Sequence, residues 1–127
     1  MNNESQPFKS LNISILIISD TRTVSSDKSG KILEDRIKES GHILISKSFV
    51  KDEPTLIKEE ISKILKKKGT HVIISSGGTG LTGRDSTPEV LKEIITKEIP
   101  GFGEIFRYIS FKKIGTSSLQ SRAIAGL

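Results

Sequence analysis

Three aspartates offer the chemistry in this chain: Asp20, Asp52 and Asp85 each stand just after an apolar, β-branched run and before a helical pattern. The third lies in a glycine-rich stretch, Ser75-Ser76-Gly77-Gly78-Thr79-Gly80-Leu81-Thr82-Gly83-Arg84-Asp85-Ser86-Thr87-Pro88-Glu89. Glycines there let the backbone approach a ligand without a Cβ in the way. The freed N–H groups of such a turn can face an anion. Carboxylates beside an anion-binding loop would repel a polyphosphate, and a hard cation resolves the conflict. Mg²⁺ is held by one or two carboxylates plus substrate phosphates and waters. Phosphoryl-type transfer then needs mainly positioning and charge neutralisation. The residues alone point to a Mg²⁺-dependent enzyme acting on a phosphorylated small molecule. The bland alternative is that isolated loop aspartates form turns, which holds for Asp20 taken singly, and that the glycines only turn the chain.

Two better-known glycine motifs fit less well. Gly78 to Gly83 matches G-x-G-x-x-G after a strand, the pattern behind a nicotinamide-dependent oxidoreductase. A dinucleotide fingerprint opens its helix within the motif and continues into a second βα unit. Here the helix starts no earlier than about Thr87, and Ile99-Pro100-Gly101-Phe102-Gly103 is no strand. The P-loop spacing is present, but Arg84-Asp85 stands where Lys-Ser/Thr belongs.

These residues need elements to carry them. Asn12 to Ser19 is a near-continuous apolar run, the mark of a parallel strand covered on both faces. It ends in the polar loop Ser19-Asp20-Thr21-Arg22-Thr23. Ile32, Leu33 and Ile37 predict a helix from about Ser29 to Ser40. His42 to Val50 is a more polar strand nearer an edge. Asp52-Glu53-Pro54 begins a helix faced by Leu56, Ile57, Ile61, Ile64 and Leu65, and Gly69 stops it. Thr70 to Ser75 is the third strand. Thr87 is expected to cap the next helix, with Pro88 in its first position and Val90, Leu91, Ile94 and Ile95 on one face. Alternating strands and helices imply right-handed crossovers and a doubly wound α/β sheet with one rim of strand ends.

The composition narrows the function classes. The 127 residues, 34% hydrophobic, suit one globular domain at 11–127 behind a mobile tail at 1–10. No cysteine is present, so disulfides and thiolate metal sites are excluded. His42 and His71 at strand starts are expected to be structural. No apolar run approaches a membrane span, no signal-peptide core opens the chain, and a cytoplasmic protein is expected. The net charge of +5 comes from dispersed lysines; the run Lys66-Lys67-Lys68 falls at a helix C-terminus. Solvated surface is therefore expected rather than a nucleic-acid face.

The last third is unusually apolar. Phe102, Ile105, Phe106 and Ile109 have helical spacing and read as core or as a subunit contact. Thr116-Ser117-Ser118 either cap a helix or meet a ligand.

Four ordered motifs now make the reading specific: Ser19-Asp20-Thr21; Gly77-Gly78-Thr79-Gly80 with Arg84-Asp85-x-Thr87-Pro88-Glu89; Pro100-Gly101-Phe102-Gly103-Glu104; and Ser121-Arg122. With them the chain resembles the MoaB/MogA family of molybdenum cofactor biosynthesis proteins, most of all the MoaB members. The resemblance implies a three-layer, doubly wound, mostly parallel α/β subunit that binds molybdopterin and assembles as a homotrimer. Active members use Mg²⁺ and ATP to adenylylate the pterin's terminal phosphate; other MoaB proteins have no clear catalytic role, which leaves a non-catalytic pterin carrier as the alternative. By resemblance, Asp52 and Asp85 are the catalytic and metal-binding aspartates. Ser19, Asp20, Gly77, Gly78, Thr79, Gly80, Thr116, Ser117 and Ser118 fall at substrate-binding positions. Hand-off to a molybdenum-insertion protein of the MoeA type is a further implication. The family continues past the Arg-Ala segment with another strand and a Pro-Gly loop, so the chain is expected to be a fragment truncated at its C-terminus.

Overall fold

The computed structural model describes residues 6–21 and 26–127; Arg22, Thr23 and the first five residues of the expected tail lie outside them. Three parallel strands, β1 (Asn12–Ile18), β2 (Ile43–Val50) and β3 (Val72–Ser76), form a sheet in the order β2-β1-β3. Helices α1 (Lys28–Glu39) and α2 (Pro54–Lys66) provide the crossovers, and α3 (Thr87–Ile94) follows β3. Then come α4 (Pro100–Ile114) and a 3-10 helix, Gly115–Gln120.

The central place of β1 follows from its sequence: every residue from Ile13 to Ile18 is buried. Its side chains alternate between two cores. Ile13, Ile15 and Ile17 pack with Ile37 of α1 on one face; Leu16 and Ile18 pack with Ile57, Ile61 and Val90 of α2 and α3 on the other. The result is a three-layer, doubly wound α/β arrangement, and burying each such side chain stabilises it by about 1.5–3 kcal/mol. One polar side chain, Ser14, is fully buried in β1, and its Oγ accepts the Ser46 hydroxyl at 3.0 Å.

β2 is an edge strand, as its polarity predicts. A register shift opposite Ile13/Ser14 skips Ile45, and Ile43 and Ile45 are exposed while Leu44 packs inward. α2 buries Ile57, Ile61 and Ile64, but Leu65 turns out to solvent, one residue beyond the buried stripe. Both histidines are structural: His42 Nδ1 accepts the Leu11 N–H at 3.1 Å, and His71 Nδ1 accepts the Asn12 N–H at 2.9 Å. They hold the start of β1 between its neighbours. The Phe8 ring lies 5.2 Å from that of His42.

The last residues do not run free. Ile99 N–H donates to Ala125 O at 2.8 Å, and Leu127 N–H to Lys97 O at 2.8 Å, so residues 125–127 lie antiparallel to the α3–α4 connection. α4 buries only Gly103, and Phe102, Ile105, Phe106, Tyr108, Ile109 and Phe111 are all exposed. Among the described residues, no helix is long and apolar enough to cross a membrane.

Candidate functional site: the glycine loop at the sheet rim

Parallel strands send all three carboxyl ends to one rim, and hydrogen bonds there lock the strand ends together. Ser19 N–H donates to Val50 O at 2.9 Å, joining the ends of β1 and β2. Gly77 follows β3 at φ +107° and lies directly on β1: a Cβ there would come within 1.9 Å of Ile18 O. No side chain fits that approach, so glycine is required.

Residues 77–86 link β3 to α3. The next glycine, Gly78, also has positive φ (+68°), and a Cβ there would meet Thr87 Oγ1 at 2.3 Å and Asp52 Oδ2 at 2.8 Å. All four carbonyls of residues 77–80 point into the protein. Gly77 O accepts the Thr87 hydroxyl at 2.9 Å and Gly78 O the Thr87 N–H at 3.1 Å. Thr79 O accepts the Arg122 N–H at 3.1 Å, and Gly80 O accepts Arg122 Nε–H at 2.7 Å. The N–H groups of Gly78 and Thr79, by contrast, donate to no described residue. A peptide whose carbonyl is held on one side turns its N–H to the other, and consecutive N–H groups of this kind make an anion-binding concavity.

Thr87 departs from its expected role. It is the first residue of α3, fully buried, and its hydroxyl is committed to Gly77 rather than to capping. Ser86 precedes the helix, and its N–H and hydroxyl both donate to Asp52 Oδ1, at 3.2 and 2.8 Å.

The three aspartates do converge on this rim, each with different partners. Asp52 is buried, its Oδ1 spent on Ser86 and its Oδ2 against Gly78. Asp85 Oδ2 accepts the hydroxyl and the N–H of Thr82, at 2.8 and 2.9 Å. Those bonds, the hydroxyl first, hold the Asp85 carboxyl below its ordinary value of 3.8 and keep it ionised. Asp20 faces Arg84, whose Nε and Nη2 donate to its two oxygens at 3.1 and 2.8 Å; Asp20 Oδ1 also accepts the Asp52 N–H at 3.1 Å. The Arg84 hydrogen bond, then that of Asp52, lowers the Asp20 pKa. Ser19 stands beside it, its Oγ accepting the Thr21 N–H at 3.3 Å.

Thr116, Ser117 and Ser118 sit apart, on the 3-10 helix that packs against α4. Ser118 is buried, and among the described residues no hydrogen bond joins these side chains to the loop. Their connection is through the chain: four residues after Ser118, Arg122 reaches the loop. Besides Thr79 and Gly80, it donates Nη2–H to Asp85 O at 3.1 Å and pairs with Glu89 of α3. The sequence motif Ser121-Arg122 was visible, but its partners lie 33 to 43 residues away, from Glu89 back to Thr79, and no spacing announces them. Beside Arg122 opens a cleft of about 400 Å³, lined by Pro54, Leu81, Asp85, Ser86 and Glu89 among others.

Comparison with known proteins decides the family. Residues 14–127 match the family model "Probable molybdopterin binding domain". The chain belongs to the MoaB/MogA family of molybdenum cofactor biosynthesis proteins. It is 41% identical over 127 residues to molybdenum cofactor biosynthesis protein B of Escherichia coli K12, covering all of this chain and 75% of that protein. The Bacillus cereus protein of the same name is 43% identical over 122 residues, or 95% of this chain and 72% of the relative. A crystal structure of molybdenum cofactor biosynthesis protein B superposes with a TM-score of 0.90 at 43% identity, over 96% of this chain and 76% of that one. The tungsten cofactor synthesizing protein MoaB from Pyrococcus furiosus gives 0.83 at 29% identity, over 94% and 74%. The chain is thus of the MoaB type and spans about three-quarters of the length of these relatives.

The residues present fit a magnesium ion shared with a ligand. Among the described residues, no group of three or more His, Cys, Asp or Glu side chains could hold a metal alone. Mg²⁺ does not need one: it takes one or two carboxylates and completes its shell with phosphate and water. Asp52 Oδ2, which accepts no hydrogen bond from a described residue, and ionised Asp85 are hard oxygen donors of that kind.

Proposed function

We propose that this chain is a molybdopterin adenylyltransferase. The observation that carries the reading is the glycine loop: four carbonyls anchored inward, two N–H groups that donate to no described residue, and two carboxylates against the same turn. The free N–H groups of Gly78 and Thr79 receive a phosphate. In the reaction an oxygen of molybdopterin's terminal phosphate attacks the α-phosphorus of ATP. A new P–O bond forms, the bond to the bridging oxygen breaks, and pyrophosphate leaves with that oxygen. Asp52 and Asp85 would hold Mg²⁺, which when bound would supply charge neutralisation on the phosphates. Ser86 fixes the Asp52 carboxylate, and Thr82 fixes that of Asp85. Ser19 and Asp20 border the site from the β1 end, and Thr116 to Ser118 border the pterin end. The adenylylated product is suited to a molybdenum-insertion protein of the MoeA type.

Self-association into a homotrimer belongs to the same reading. Phe102, Ile105, Phe106 and Ile109 leave α4 with more exposed apolar surface than a monomer ordinarily carries.

One observation favours a second reading, a pterin carrier without chemistry. Asp85 Oδ2 is already committed within its own loop, as in an aspartate that only shapes a turn. Incubation with molybdopterin, ATP and Mg²⁺ separates the two. The proposal expects adenylylated pterin and pyrophosphate in equal amounts. Bound pterin with no product would establish the carrier, and no binding would remove both readings.

A further inference from the structure

We infer that Arg122 is the positioning residue of the glycine loop, and that Arg107 of α4 positions Arg122. The inference deepens the proposed reading of this site and rests on it only for the turnover readout.

Arg122 reaches the loop at three places and α3 at a fourth. Its backbone N–H takes Thr79 O, its Nε–H takes Gly80 O, its Nη2–H takes Asp85 O, and its Nη1 pairs with Glu89. The guanidinium therefore bridges Gly80 to Asp85, while the backbone N–H of the same residue holds Thr79. A planar fork with fixed N–H directions can do this; a lysine ammonium presents a single point. Its charge also suits the carbonyls it meets, since hydrogen bonds from a charged donor are about twice as strong as neutral ones.

Arg122 is itself held from behind. Arg107 Nη1 donates to Ser121 O at 3.3 Å and to Ala123 O at 3.2 Å, the carbonyls on either side of it. Gly103 allows the approach, because a Cβ there would meet Ala123 O at 2.6 Å and Arg107 Nη2 at 2.7 Å. Clefts open on both sides of Arg122, about 400 Å³ toward Asp85 and about 260 Å³ toward Arg107. Two arginines in series thus set where Gly80 and Asp85 lie relative to Asp52.

The test reads the loop directly. The amides of Thr82, Asp85 and Ser86 are hydrogen-bonded within the rim. Arg122→Gln should raise their hydrogen exchange about tenfold or more while the amides of β1 keep the wild-type rate. Turnover should fall about 10- to 100-fold, as for residues that orient a ligand group from behind, with part of the loss restored in Arg122→Lys. Arg107→Lys should act in the same direction, and Arg107→Lys with Arg122→Lys should fall short of the sum, as in one network. Unchanged exchange at all three amides in Arg122→Gln, or strict additivity of the pair, would overturn the inference. If the glutamine variant does not fold, the Arg122 Nε–H resonance of the wild type decides. A slowly exchanging Nε–H supports the bond to Gly80 O, and rapid exchange with solvent overturns it. Exchange is read without substrate, so a wild type with no turnover would count against the proposed function alone.

Discussion

The sheet rim and helix α4 satisfy their groups in opposite ways. At the rim polar groups are engaged by residues far apart in the chain: Asp20 with Arg84, Asp52 with Ser86, Arg122 with Gly80. What the described residues leave open there is small and polar, the N–H groups of Gly78 and Thr79 and Asp52 Oδ2. On α4 what is left open is large and apolar. Phe102 and Phe106 stack on one another at 6.0 Å, both half in solvent. In the proposed reading the rim receives a small anionic ligand and α4 is covered by another subunit.

The predictions separate these two kinds of incompleteness. The largest effect is expected at the rim. Asp85→Asn should lower turnover by about three orders of magnitude, the loss of several kcal/mol of charge stabilisation, while molybdopterin binding survives. Wild-type turnover in the variant would show that Asp85 only shapes its loop with Thr82. Next comes Gly78→Ala. Positive φ costs a non-glycine residue about 1–3 kcal/mol, and the added methyl meets Thr87 and Asp52. Pterin affinity should drop about a hundredfold, and a titration showing less than a threefold change would mean that the loop geometry does not form the site.

α4 should respond in a different observable. Ile105→Asp with Phe106→Asp should convert the proposed trimer to smaller species in light scattering, leaving the β1–β3 rim folded. An unchanged mass would place the contact elsewhere. A wild type that is monomeric at micromolar concentration would remove the trimer from the account.

The smallest effects concern exposed charges. The Asp20 and Glu34 carboxyls are depressed, Asp20 by Arg84 first and Glu34 by Lys38 and then Lys47, the latter to about 2. A depressed carboxyl adds stability above its ordinary value, 3.8 for Asp20 and 4.5 for Glu34, and loses it as pH falls through the folded value. Melting temperature should thus decline below pH 4.5 and continue to decline toward pH 2. Arg84→Ala should lower melting modestly at pH 7, and its difference from wild type should vanish at low pH. Solvent screening keeps both effects small. A difference that persists undiminished at pH 2 would mean that Arg84 stabilises through something other than the Asp20 carboxylate.

How much of this was legible in the sequence depended on range. β1 was readable because a strand covered on both faces has no polar alternation to hide it. The convergence of Asp20, Asp52 and Asp85 followed from the crossover rule without any contact being known. Thr87 was misread because a threonine before proline carries a strong local capping signal, and a carbonyl ten residues back, Gly77 O, outcompetes it. The Arg84–Asp20 and Arg122–Gly80 pairs were not readable at all. They span 64 and 42 residues, and a single arginine has no periodicity. The apolar face of α4 was visible as composition, but a helix apolar on several sides gives no phase from which to deduce what covers it.

The central claim is that Gly78 and Thr79 present free N–H groups to a phosphate of the ligand. Titrating ¹⁵N-labelled protein with molybdopterin tests it most directly. The account predicts that the amide resonances of Gly78 and Thr79 shift downfield and by more than any others, saturating with the binding curve. Saturable binding that leaves both amides unmoved would contradict it.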